Sequence, residues 1–145
     1  SESLLSNGFE HYEISNFARQ GYEGKHNLKY WNCEEYLGLG PSAHSFIDGK
    51  RFFYPRDIKY FKNGGEPISD GNGGDEEEYI MLRLRLKDGI IFEDFKKRFG
   101  KAFPRDIIKK TEKFLKNELM KCDEKSMALT EKGFLLSNSI IAELI

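Results

Sequence analysis

The chain has 145 residues, 39% of them hydrophobic, with 23 Lys and Arg against 24 Asp and Glu. That is enough apolar content to bury a core and too much for intrinsic disorder, and a net charge of -1 excludes a whole-molecule field drawing the chain to nucleic acid or an anionic membrane. The two cysteines, Cys33 and Cys122, lie far apart, which excludes a disulfide framework and a Cys-rich metal knot and fits a reduced, cytoplasmic setting.

No apolar run approaches the ~20 residues a bilayer span needs, and Ser1-Glu2-Ser3 lacks the basic and apolar regions of a signal peptide. The chain starts without Met, directly in a helix-like stretch, and reads as a piece of a longer protein. Leu4 to Asn7 is the end of that helix, stopped by Gly8, and the alternation from Tyr12 to Phe17 predicts a strand. Ala18 to Lys25 is a loop. His26 to Trp31 makes a short helical turn that sets His26 beside Tyr30 and Asn27 beside Trp31.

Leu37 to Ile47 reads as a second strand. Leu37, Leu39, Ala43, Ser45 and Ile47 share an apolar face; Gly38, Gly40, Ser42, His44 and Phe46 share the other, where the glycines let a backbone or a flat ligand come close. Pro41 cannot donate to a ladder and belongs at a bulge or an unpaired edge. Arg51 to Tyr54 is a short strand, after which Pro55 opens a helix that runs through Phe61 to Gly64-Gly65. Five glycines between Asn63 and Gly74 mark a linker.

Asp75 caps a helix with Glu76, Glu77 and Glu78 in its first turn and Arg83, Arg85 and Lys87 towards Gly89, a charge order that suits the helix dipole. The alternation from Leu82 to Leu86 argues for a strand instead. Ile91 to Phe99 is a second helix closed by Gly100. Pro104 starts a third that runs to Leu119, with Lys109, Lys110, Lys113 and Lys116 outward. Met120–Cys122 and Met127–Leu129 form a hairpin, and Thr130 caps a closing helix. Three helices, a hairpin and a closing helix suggest a winged-helix-like module.

The stretch from His26 to Phe46 holds two of the three histidines, the only tryptophan and one cysteine. His26 beside Tyr30 and Trp31 has the makings of an axial imidazole among stacking aromatics, as a haem or porphyrin needs. The plainer reading is a histidine capping a turn, with Trp31 in the core wall. His44 could hydrogen-bond a polar ligand from the glycine-bearing face or be structural. The lysine face of the third module helix could contact phosphates, but it has no Arg between Lys109 and Leu119, and a solvated face explains it more simply.

Three stretches, Tyr12-Glu13-Ile14-Ser15-Asn16-Phe17-Ala18, His26-Asn27-Leu28-Lys29-Tyr30-Trp31 and Tyr36-Leu37-Gly38-Leu39-Gly40-Pro41-Ser42-Ala43-His44-Ser45, closely resemble the oxygen-independent coproporphyrinogen III oxidase-like radical SAM proteins, and within them the haem chaperone branch. Glu77 to Leu86 and Leu129 to Gly133 resemble that family's C-terminal domain. Gly24-Lys25 departs from the Cys-Arg or Ser-Arg expected before the His-Asn-x-x-Tyr-Trp motif.

The resemblance implies an α+β chain: the C-terminal remnant of a radical SAM partial β/α barrel over residues 1–66, a Gly-rich linker over 67–74, and a mostly helical, winged-helix-like module over 75–145. It implies a [4Fe–4S] cluster and S-adenosylmethionine in the parent, whose Cys-x-x-x-Cys-x-x-Cys ligands are not in this sequence, and a haem or porphyrin substrate. His26, Asn27, Tyr30 and Trp31 become the motif associated with haem. Gly38, Gly40, Pro41 and His44 become the last barrel segment beside the active site, with no catalytic or metal-ligating residue expected here. The partner implied is the N-terminal half of the barrel, and strand edges left open by its absence are expected to pair in a homodimer.

Overall fold

The computed structural model describes residues 2–145. After helix α1 (Glu2–Leu5), β1 (Glu10–Glu13) and β2 (Asn16–Ala18) form an antiparallel hairpin, where the alternation from Tyr12 to Phe17 predicts one strand. The break has a cause in one side chain. Glu13 is fully buried, and its carboxylate accepts from the Ser15 backbone N–H at 3.0 Å and from the Asn16 side-chain amide, which turns the chain at Ile14-Ser15.

Helix α2 (Lys25–Trp31) follows as expected, and then the prediction for Leu37 to Ile47 fails in its first half. Only β3 (His44–Ile47) is a strand. Gly40 and Ser42 take positive φ (101° and 64°), which turns the chain out of an extended run, and Leu37 and Leu39 are 60% and 83% exposed instead of lining an apolar face. The chain from Tyr36 loops out and returns, with Tyr36 and Phe46 exchanging backbone hydrogen bonds at 2.9 Å in each direction.

Strand β3 pairs antiparallel with β4 (Lys50–Phe53), and β4 with β5 (Ile68–Asn72). Residues 67–74, read as linker, thus contain a paired strand, although every residue of β5 is exposed. Between β4 and β5, α3 (Ile58–Lys62) starts at Asp57 and not at Pro55: the Asp57 carboxylate accepts from the backbone N–H groups of Lys59 (2.8 Å) and Tyr60 (3.0 Å).

Asp75 caps α4 (Glu76–Arg83) through the Glu78 N–H at 2.8 Å, but the helix stops short of Gly89. After it the chain makes a single bridge to the end of β1, Ile14 N–H to the Arg85 carbonyl and Lys87 N–H to that of Tyr12, so the helix reading holds as far as Arg83 and the strand reading of Leu82 to Leu86 reduces to one isolated bridge at Leu86. Next come β6 (Ile90–Ile91), α5 (Phe92–Phe99), α6 (Arg105–Lys110), α7 (Glu112–Lys116), β7 (Met120–Cys122), β8 (Ser126–Leu129), α8 (Glu131–Phe134) and α9 (Ser137–Leu144). Strand β6, missed in the sequence, completes a three-stranded sheet of order β6-β8-β7.

The third and closing module helices are each broken in two. At the first break the buried Thr111 turns its hydroxyl to the Ile108 carbonyl at 2.7 Å, a local bond that competes with the helix ladder. Two lysines of the outward face have partners within the chain, both at the surface: Lys110 donates to the Leu144 carbonyl at 2.9 Å and Lys113 pairs with Glu143. A continuous basic recognition helix is therefore not what this module presents. Its core is apolar, with Leu84, Ile90, Phe95, Met127 and Leu144 at 0% exposure.

In the β7–β8 turn, the backbone N–H groups of Lys125 and Ser126 hold the Asp123 carboxyl below its usual range. A carboxyl lowered by folding stabilises the turn fully above the ordinary carboxylate range and loses that contribution as pH falls through its lowered value. Amide protection in this hairpin, measured relative to the intrinsic exchange rate at each pH, should fall in acid, and Asp123→Ala should lower it at neutral pH and remove that acid-dependent fall.

The fold is α+β, with no closed barrel among the described residues. Among them, no helix is long and apolar enough to cross a membrane.

Candidate functional site

Helix α2 has no side-chain cap; the Gly24 N–H before it donates to the Tyr12 hydroxyl at 3.2 Å, which ties the helix start to β1. His26 is exposed. Its Nε2 lies 3.2 Å from the Tyr30 hydroxyl one turn on, and the two rings meet edge to face at 4.8 Å. The Tyr30 ring in turn meets Tyr36 edge to face at 4.5 Å.

From Tyr36 the arrangement continues into the C-terminal module. The Tyr36 hydroxyl accepts from Arg51 Nη1 at 3.1 Å, Arg51 Nη2 pairs with Glu78 Oε1 at 2.5 Å, and Glu78 Oε2 accepts the Gly74 N–H at 2.5 Å. Burial works against the Arg51 charge, but the Glu78 carboxylate and the Tyr36 hydroxyl outweigh it and hold the guanidinium above its usual range. The same guanidinium lies over the Phe46 ring at 4.6 Å. An exposed imidazole is thus connected, through two phenols, to a half-buried ion pair between β4 and α4.

Asn27 and Trp31 sit one turn apart on α2 and are half-buried. Trp31 Nε1 is buried without an acceptor, and the Arg85 guanidinium stands 5.8 Å over the indole. Asn32 receives Arg83 Nη1 across the α2–α4 contact. Burial pushes the Cys33 thiol up despite the nearby Arg98, so it offers no reactive thiolate.

Gly38 is packed against its own chain. Its N–H donates to the Ser45 hydroxyl at 3.0 Å, and a Cβ there would lie 2.1 Å from the His44 carbonyl oxygen. The backbone approach expected at this glycine is real, and the approaching backbone belongs to the same loop. Gly40 and Pro41 form the turn beyond it, with the Gly40 carbonyl accepting from Ala43 N–H at 3.2 Å. His44 is exposed, stacks on Phe53 at 5.0 Å and lies 3.6 Å from Asp70. It shares no partner with His26 among the described residues, so the two histidines stand as separate features.

Tyr36, Arg51 and Glu78 were not singled out in the sequence. Tyr36 lies within a quoted motif, but nothing local links it to Arg51 or to Glu78. Among the described residues no group of three or more His, Cys, Asp or Glu side chains is placed to hold a metal ion, and both cysteines are free. This donor set does not fit an iron–sulfur cluster.

Residues 76–136 match the HemN C-terminal domain family. The chain is similar to HemN- and HemW-like proteins, the relatives that its three motifs indicate. It is 31% identical over 149 aligned residues to "Heme chaperone HemW" of Lactococcus lactis subsp. lactis (strain IL1403), covering 98% of this chain and 39% of that protein. To "Heme chaperone HemW" of Bacillus subtilis (strain 168) it is 32% identical, over 94% of this chain and 38% of the relative. In fold it is similar to coproporphyrinogen III oxidase (HemN) from Escherichia coli, with a TM-score of 0.68 at 18% identity, over 99% of this chain and 38% of the other. The chain spans about two fifths of the length of the curated relatives it matches.

Proposed function

We propose that the protein handles haem as a chaperone, taking up the cofactor at α2 in a cytoplasmic setting. The observation that carries this reading is the exposed His26–Tyr30 pair, set in the His-Asn-x-x-Tyr-Trp motif of a chain whose curated relatives are named heme chaperones. A haem is flat and apolar with two carboxylates, and it needs an iron ligand beside aromatic surface. His26 and Tyr30 offer both on one face of a short helix, and the Tyr36 ring extends the aromatic surface.

The division into a barrel end (residues 1–66) and a C-terminal module (75–145) belongs to the same proposal. So does a partner barrel half that carries the [4Fe–4S] cluster and S-adenosylmethionine, which together would supply a 5′-deoxyadenosyl radical. This chain's residues would border that site through Gly38, Gly40, Pro41 and His44, without ligating the cluster. The exposed edge of β5 is the strand that a homodimer would use.

Titration of the purified protein with ferric haem tests the reading. A saturable Soret change that the double variant His26→Ala/Tyr30→Phe loses is the expected result; no saturable change, or an unaltered double variant, contradicts it.

A further inference from the structure

The side chains of His26 and Tyr30 are each other's only hydrogen-bond partners among the described residues. The ring nitrogen that most readily reaches a metal, Nε2, is the one facing the phenol. Tyr30 is also the better held of the two: its ring edge rests on Tyr36, and Tyr36 is fixed by Arg51, which is fixed by Glu78. His26 has Tyr30 alone. Iron ligands are oriented by the groups behind them, and here the orienting groups stand behind the phenol.

We infer that the atom that takes the iron is the Tyr30 hydroxyl oxygen, with His26 acting as the base that receives its proton. The inference rests on the haem reading above. A phenolate is an established haem ligand. Binding forms the Fe–O bond and breaks the O–H bond; the proton passes to His26 Nε2, 3.2 Å away, and no electron changes hands. The imidazolium left beside the phenolate keeps the pair neutral overall. Tyr36 and Arg51 are then positioning residues that keep the phenol ring edge in place.

The test compares the purified protein with Tyr30→Phe and His26→Ala, each loaded with ferric haem and read by absorption, resonance Raman scattering and equilibrium dialysis. Tyr30→Phe keeps the ring on Tyr36 and removes only the oxygen, so the fold is preserved. The unaltered protein should show iron–phenolate vibrations. Tyr30→Phe should lose them and bind at least ~100-fold more weakly. His26→Ala should keep them and weaken binding about 10–100-fold, the range for loss of an outer partner. Iron–phenolate bands that persist in Tyr30→Phe, or nitrogen ligation that only His26→Ala removes, would overturn the assignment and leave the haem function standing. An unaltered protein that binds no haem would remove both.

Discussion

Gly38→Ala is expected to destabilise the protein by about 2–3 kcal/mol, because the added methyl would lie 2.1 Å from the His44 carbonyl oxygen and 3.0 Å from the Ala43 Cβ, both held by the backbone. The neighbouring glycine gives the control. At Gly40 nothing lies within 4 Å of an added Cβ, and the cost comes only from the positive φ of 101°, on the order of 1–2 kcal/mol. Chemical denaturation of the two variants measures the difference. If Gly38→Ala were as mild as Gly40→Ala, the loop from Tyr36 to Phe46 would be looser than described, and Gly38 would be available to a ligand.

Phe95→Ala should cost about 3–5 kcal/mol, since the ring is fully buried among Tyr79, Phe99 and Phe103 and its removal leaves a cavity. For a chain of this size that lowers the unfolding temperature by on the order of 10 °C, which calorimetry reads directly. Phe95 lies outside the His26–Tyr30–Tyr36 contacts. A folded Phe95→Ala protein should therefore still take up haem, whereas the His26 and Tyr30 variants should bind haem more weakly without losing stability. That opposite pattern separates residues that hold the molecule together from those proposed to hold its cargo.

Much of this was legible in the sequence wherever the signal was local. Asp75 and Thr130 cap helices as their positions suggest, and the Thr130 hydroxyl accepts from the Gly133 N–H at 3.0 Å. The hairpin between Met120 and Leu129 and the turn of helix at His26 follow from equally short-range patterns. The motifs, too, pointed to the relatives that the comparisons found.

What failed did so where a distant partner decided. Alternation from Leu37 to Ile47 looks like a strand until Gly40 and Ser42 adopt positive φ to bring Tyr36 back onto Phe46. A buried Glu13 splits one predicted strand into a hairpin, and the residues after Arg83 leave their helix because β1 supplies backbone partners. Residues 67–74 look like linker by composition, yet β4 supplies a strand to pair with. The path from His26 to Glu78 spans more than half the distance along the chain's first 100 residues, and no pattern of neighbours could announce it.

The most direct test is hydrogen exchange of the protein with and without ferric haem. The account predicts slower exchange in Lys25 to Trp31 on haem binding, with a smaller effect at Tyr36 and around Glu78 through Arg51. Protection confined to the module beyond Asp88, or none at α2, would contradict it.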